Sequence, residues 1–270
     1  MQSHGVDMSG PFVDHLRRSV RGYSAGTIYA RARIVRRYLD DIADPFGIDA
    51  AGVERWATGQ GWSSSTVRDS ISHLRAFYRW AIRSGLTDRD PTTAIERPRV
   101  TRRLPRPARD VAIAVATSTA TPELRAMLAL MAGAGLRCCE VAGLRWVDVD
   151  MIAGTVHVVG KGGRERVLEV APAIRRALAA IDHPGAIVFG PYTPCRVSQL
   201  VNNHLRMVGA GCTAHQLRHR FATRSLEQCG RLDIVRDLLG HASIANTEIY
   251  AAVVPGLAGG VCRSVDVPGL

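Results

Sequence analysis

Lysine is almost absent from this chain. Of its 270 residues, 35 are basic, and all of those but Lys161 are arginine. Arginine stays protonated under any biological condition, whereas a lysine can be tuned to release a proton. Lys161 is therefore either a site kept for proton transfer or an ordinary turn lysine, and composition does not separate the two. Long apolar runs are also missing: none approaches the roughly eighteen residues that suggest a membrane span. The first ten residues, MQSHGVDMSG, have no apolar stretch of the kind a secretory leader carries. The six cysteines show no C-x-x-C spacing, and Cys138 and Cys139 are adjacent. This argues against a disulfide framework and for reduced thiols in a cytoplasmic protein. There are no internal repeats.

What is present is positive charge on a chain with 46% hydrophobic residues and a formal net charge of +11. That hydrophobic fraction suits a folded protein, and the charge suits a polyanionic partner. Residues 1–110 carry 19 basic and 12 acidic side chains, and residues 111–270 carry 16 and 12. Both parts can therefore meet nucleic acid.

The chain divides by pattern into two domains. In residues 1–90, Ile28, Ala32, Val35, Leu39 and Ile42 recur at helical spacing, with arginines on the other faces. A helix is expected from about Ile48 to Thr58. Another follows the Ser63-Ser64-Ser65 cap, with Val67, Ile71, Leu74, Tyr78 and Ala81 as its stripe and Gly85 as its stop. Phe12, Val13 and Leu16 suggest a short leading helix. Residues 91–109 read as a linker, since the stretch from Asp90 to Arg109 holds four prolines and six arginines. The second domain, residues 110–254, opens with a helix capped by Thr121-Pro122-Glu123. It then shows one β signal, Thr155–Val159 and Arg166–Val170 flanking Gly160-Lys161-Gly162-Gly163. Helices are expected near 172–181, 195–208, 214–228, 231–239 and 243–250, and residues 255–270 form a short tail.

The chemistry concentrates in the second domain. Arg137 lies in GLRCCEVAGL, a G-x-R-x-x-E pattern. His215 and Arg218 lie in HQLRH, His241 in LGH and Tyr250 in EIY. A phosphodiester repels nucleophiles, and its transition state spreads further negative charge over oxygen, so positioning and cationic stabilisation dominate its catalysis. Guanidiniums match phosphate oxygens bidentately. A phenol with a pKa near 10 needs positive charge or a base beside it to attack at neutral pH. His215 and His219 also stand at the i, i+4 spacing of zinc helices, but Arg218 between them would repel a cation. No metal and no cofactor is expected.

These motifs, in this order, resemble the signature of the tyrosine recombinases, the phage-integrase family. The match runs from about Leu124 to Tyr250. It implies a mainly α protein: an N-terminal all-α, SAM-like core-DNA-binding domain and a C-terminal α+β catalytic domain, mostly helical with a small antiparallel sheet. It implies six catalytic residues: Arg137, Lys161, His215, Arg218, His241 and Tyr250. Tyr250 would be the nucleophile. Arg137 and Arg218 would clamp the phosphate. His215 would take the phenol proton or bond a phosphate oxygen, His241 would donate to the other oxygen, and Lys161 on its hairpin would protonate the leaving 5′-oxygen. Glu140 would orient Arg137, His219 would pack beneath the site, and Arg220, where Ser or Thr is common, would add a phosphate contact.

The resemblance further implies site-specific cleavage and rejoining of double-stranded DNA at core sites through a 3′-phosphotyrosyl intermediate. Neither metal nor ATP is required. The assembly would be a homotetramer that passes through a Holliday junction, monomeric off DNA, cytoplasmic and nucleoid-associated, with no membrane contact and with room for accessory factors. The N-terminus leaves no space for an arm-binding domain, which suits a small integrase or an Xer-like recombinase. Integration or excision of a phage or mobile element is the expected role. An Xer-type resolvase and a catalytically degenerate DNA-binding regulator are the alternatives.

Overall fold

The computed structural model describes residues 8–96, 98, 104–160, 163–182, 185–241, 243–251 and 253–254. Lys161 lies outside the described residues. The chain forms two compact units, Met1–Arg102 and Arg103–Leu270.

The first unit is built from α1 (Ser9–Arg18), α2 (Ala25–Asp41), α3 (Ala50–Gly59) and α4 (Ser64–Arg83). Ser24, Asp49 and Ser63 each accept a backbone N–H from the first turn of the helix that follows, which satisfies donors the helix cannot. All five residues of the expected α4 stripe are buried, and Phe77 and Trp80 join them. Each such side chain contributes roughly 1.5–3 kcal/mol on leaving water. In α2 the buried residues are Ile34, Val35 and Tyr38, so the inward face is rotated from the one its periodicity suggests. The reason is aromatic. Tyr38 and Tyr78 share a 2.6 Å hydroxyl bond, and Tyr78 donates to the carbonyl of Pro45. Burial pushes the Tyr38 phenol up to about 12. Residues 91–94, expected as part of the linker, form a single 3-10 turn, with Asp90 accepting from the Thr92 N–H.

The second unit packs α5 (Asp110–Thr119), α6 (Pro122–Gly133), α7 (Cys138–Ala142), α8 (Pro172–Ala179), α9 (Pro194–Met207), α10 (Ala214–Cys229), α11 (Leu232–Leu239) and α12 (Glu248–Ala251) around a three-stranded antiparallel sheet. β2 (Thr155–Val159) and β3 (Glu165–Glu169) form the expected hairpin, with Val156 opposite Leu168 and Val158 opposite Arg166. β1 (Val149–Asp150) adds a two-residue edge. The main core is mostly aliphatic, with Phe189 as its buried aromatic ring, and α6 supplies Met127, Leu128, Leu130 and Met131 to it. A smaller cluster joins Ala222 and Leu226 of α10, Val235 and Leu239 of α11, and Tyr250. No described helix is long and apolar enough to cross a membrane.

Candidate active site

The site is organised around a buried carboxylate. Glu140 lies one turn into α7, and its side chain is 1% exposed. Its carboxylate accepts the Arg137 backbone N–H at 2.8 Å and the Arg137 guanidinium at 2.9 Å. One residue thus caps the helix and orients the side chain that precedes it. Arg166 of β3 reaches the same carboxylate with both terminal nitrogens, at 3.0 and 2.9 Å, and Arg218 stands 3.8 Å away. Burial works against the negative charge of Glu140. Arg166, the Arg137 N–H and Arg218 outweigh it and hold the carboxyl below its ordinary range.

Arg218 is 3% exposed. One terminal nitrogen donates to the carbonyl of Gly135, and the other to that of Leu239 at 2.7 Å. Gly135 lies two residues before Arg137 and Leu239 two before His241, so one buried guanidinium fixes the backbone ahead of both. Gly135 has φ +67, and a β-carbon there would collide with the Phe221 ring, which explains the glycine. Burial, followed by the field of Arg137, lowers Arg218 to about 9, which leaves it charged at neutral pH.

Tyr250 is 2% exposed. Its hydroxyl lies 2.9 Å from Nδ1 of His219. Burial raises the phenol, and Arg218 and Arg137 pull it back in part. Burial, then His215 and Arg218, brings His219 down to about 4. His215 sits one turn earlier on α10 with its surface exposed, and its ring meets the edge of His219 at 4.3 Å between centroids. Its own shift is also downward, from partial burial and then Arg218 and Arg137. His241 bonds Thr247 through Nδ1 at 3.0 Å. Burial, then Arg218, Arg137 and Arg166, takes it to about 4. All three imidazoles are therefore neutral at neutral pH.

Arg137, His215, Arg218, His241 and Tyr250 thus lie in one neighbourhood, while Lys161 is outside the described residues. Two readings change. His219, expected only to pack beneath the site, is the histidine in hydrogen-bond contact with the phenol. Arg220 does not face a free phosphate position: its Nε donates to Asp110 at 2.8 Å and a terminal nitrogen to the carbonyl of Ala132. It ties α10 to α5 and α6, because its carboxylate partner is already folded against it. The residue that sequence reasoning missed is Arg166. A signal was there: it shares strand parity with Leu168, which faces the core. Among the described residues, no three His, Cys, Asp or Glu side chains converge as a metal site would need.

Comparison with known proteins places this geometry. Residues 109–187 and 191–255 match the family model described as "Phage integrase family". Tyrosine recombinase XerC of Rhodospirillum centenum (strain ATCC 51521 / SW) is 33% identical over 88% of this chain and 77% of its own length. Among solved structures, a lambda integrase (75-356) dimer bound to a COC' core site superposes with a TM-score of 0.72 at 18% identity, over 89% of this chain and 94% of that one. A lambda integrase tetramer bound to a Holliday junction gives 0.67 at 20% identity, over 87% and 76%. The solved structures share the fold, and the family match and the relative's identity decide the assignment: the chain belongs to the phage integrase family and is a site-specific tyrosine recombinase.

Proposed function

We propose that Tyr250 is the nucleophile of this recombinase and that Arg137 and Arg218 build the phosphate site. The observation that carries this is the Glu140 cluster. One buried carboxylate gathers the guanidiniums of Arg137, Arg166 and Arg218, and the Tyr250 phenol lies in the field of Arg218 and Arg137. Positive charge left in excess over a single carboxylate, in a site shielded from water, favours an entering phosphodiester. It favours the more highly charged transition state further. Arg137, 31% exposed at its side chain, is the arginine with donors free to reach solvent and substrate. Arg218 contributes its field, its remaining N–H groups and the two backbone anchors. His215 and His241 are neutral donors for the non-bridging oxygens.

In the forward step the Tyr250 oxygen attacks phosphorus and the P–O5′ bond breaks. The 5′-oxygen takes a proton, which we assign to Lys161. The products are a 3′-phosphotyrosyl link and a 5′-hydroxyl. Because the phosphate bond is exchanged rather than hydrolysed, a 5′-hydroxyl from a partner strand reverses the step without ATP. The basic cavity of the first unit, about 900 Å³ and lined by Arg18, Arg31, Arg68, Arg75, Arg79 and Arg83 among others, suits the DNA backbone and supports a core-DNA-binding role for that unit. Double-stranded core sites, and a homotetramer that resolves a Holliday junction, are the assembly we infer. The name XerC on a relative matched over most of both chains supports an Xer-type role over the phage or mobile-element integration that the sequence suggested.

Covalent trapping tests this reading. Purified protein is mixed with fragmented DNA of its source and denatured in SDS, and the attached DNA is sequenced. Adducts at one recurring sequence, with the linkage mapped to Tyr250 and absent in Tyr250→Phe, are the expected result. Tight binding at defined sequences without adduct would overturn the catalytic reading in favour of a regulator.

A further inference from the structure

We infer that His219 is a catalytic residue, the group that takes the Tyr250 proton as the phenol attacks phosphorus. The inference rests on Tyr250 being the nucleophile and adds a role that the six-residue signature leaves to His215. A general base must lie within about 2.6–3.2 Å of the atom it deprotonates, and His219 Nδ1 is 2.9 Å from the Tyr250 hydroxyl. Among the described residues, His215 makes its contact with the His219 ring rather than with the phenol.

Placement on the helix gives the reason. His215, Arg218 and His219 lie on one side of α10, at i, i+3 and i+4. His215, at the first turn, is exposed. His219, a turn deeper, is half-buried beside α12, which carries Tyr250. The two histidines thus divide the work, with the outer one open to substrate and the inner one at the nucleophile. The charged and titratable groups around His219 are His215 and Arg218 on its own helix and Tyr250 from α12.

Protonation states fit this division. With burial, His215 and Arg218 bringing it to about 4, the His219 imidazole is neutral. The phenol keeps its proton, and in the tautomer the step requires it donates to Nδ1. That tautomer carries the ring proton on Nε2. Burial is the larger reason this base is weak, and the Arg218 field adds to it; a phosphodiester settling beside Arg218 offsets that field and strengthens the base.

The step balances. The Tyr250 O–H bond breaks, the Tyr250 O–P bond forms, and the proton moves to His219 Nδ1 to give imidazolium. The P–O5′ bond breaks, and the 5′-oxygen is protonated by the separate acid. On religation the proton returns from His219 to the phenol, so one residue serves as base forward and acid in reverse.

The test uses full-length protein and a nicked suicide oligonucleotide of the trapped site, in single-turnover cleavage. His219→Phe keeps the ring and removes both nitrogens, and His219→Asn places an amide near Nδ1. General-base contributions run at about 10²–10⁴-fold. Both variants are therefore expected to cleave at least about 100-fold more slowly with oligonucleotide affinity unchanged. Two readouts separate chemistry from packing. Added imidazole, and replacement of Tyr250 by a fluorinated tyrosine of lower phenol pKa, should each restore at least about tenfold to the variants and little to the parent, as Brønsted behaviour requires. Parental rates in both variants would overturn the inference and leave Tyr250 as nucleophile intact. A slow variant that neither imidazole nor fluorotyrosine restores would also overturn it, in favour of a packing role. An adduct that maps to a residue other than Tyr250 in the parent would overturn both readings together.

Discussion

Glu140→Gln removes one charge and leaves the shape almost unchanged, so it measures what the carboxylate does for the buried arginines. In the parent, Glu140 accepts two hydrogen bonds from Arg166 and two from Arg137. The side chains of Arg166 and Arg218 are 9% and 3% exposed. A glutamine can satisfy one face, but its amide hydrogens meet the Arg166 donors on the other. Removing one partner of a buried ion pair costs roughly 3–5 kcal/mol, because the remaining charge stays buried without its counter-ion. Whole domains are stable by only about 5–15 kcal/mol. The variant should therefore lose a large part of the stability of the second unit, read as a lower urea midpoint by backbone circular dichroism. The pH dependence follows from the depressed carboxyl. Its contribution is fully present above the unfolded-chain value of about 4.3 and is lost as the pH falls through the lower folded-state value. The parent should lose stability over that acidic window, and Glu140→Gln should lose less there. A midpoint shift worth less than about 1 kcal/mol, the scale of one ordinary hydrogen bond, would refute the view that this carboxylate holds the site together.

Further expectations concern separate parts of the molecule. Lys161→Ala should slow cleavage of ordinary DNA but cut a substrate with sulfur in place of the 5′-oxygen at close to the parental rate. Parental cleavage of ordinary DNA would end the proton-donor assignment. Gly135→Ala forces a β-carbon against Phe221 at a positive φ and shifts the carbonyl that anchors Arg218. Cleavage should fall at least about tenfold, in line with what small misplacements cost, and a crystal structure with Arg218 unmoved would contradict this. Tyr78→Phe leaves the Tyr38 hydroxyl and the Pro45 carbonyl without their shared partner. It should destabilise the first unit by about 1–3 kcal/mol while leaving active-site chemistry unchanged, as urea melts and single-turnover cleavage would show.

Much of this was legible in the chain because long helices advertise a face. The α4 stripe and the β2–β3 hairpin lie within a residue or so of where periodicity and turn glycines put them. Where aromatic packing chose the face, as at Tyr38 on α2, spacing alone pointed slightly aside. The site divides in the same way. Arg137, His215, Arg218, His241 and Tyr250 were singled out because their motif spacing is specific, and the structure brings them into one neighbourhood. Arg166 was missed because a charged residue in a strand reads as a solvent-facing one, and only its partner 26 positions upstream explains its burial. Glu140 was expected to orient Arg137, but that it also binds Arg166 and neighbours Arg218 is a tertiary fact with no local pattern. His219 was visible as half of an i, i+4 pair, a spacing equally suited to metal, packing or proton transfer, and only its 2.9 Å approach to Tyr250 selects among these. Arg220 shows the reverse error: a basic residue beside a catalytic motif invites a phosphate, yet Asp110, 110 positions upstream, claims it first.

The contrast between the two cores has a practical consequence in spectroscopy. Trp56, Trp62 and Trp80 sit in the first unit, where Trp56 meets Tyr38 and Trp62 edge to face and Trp80 packs at a tilt against Phe12 and Phe77. The second unit packs mainly aliphatic side chains and holds Trp146 as its single tryptophan. Emission from the whole chain is therefore weighted toward the first unit. Replacing Trp146 with Phe would leave fluorescence as a reporter of the first unit alone, while circular dichroism still registers both. The difference between the two unfolding curves then isolates the stability of the second unit without cutting the chain.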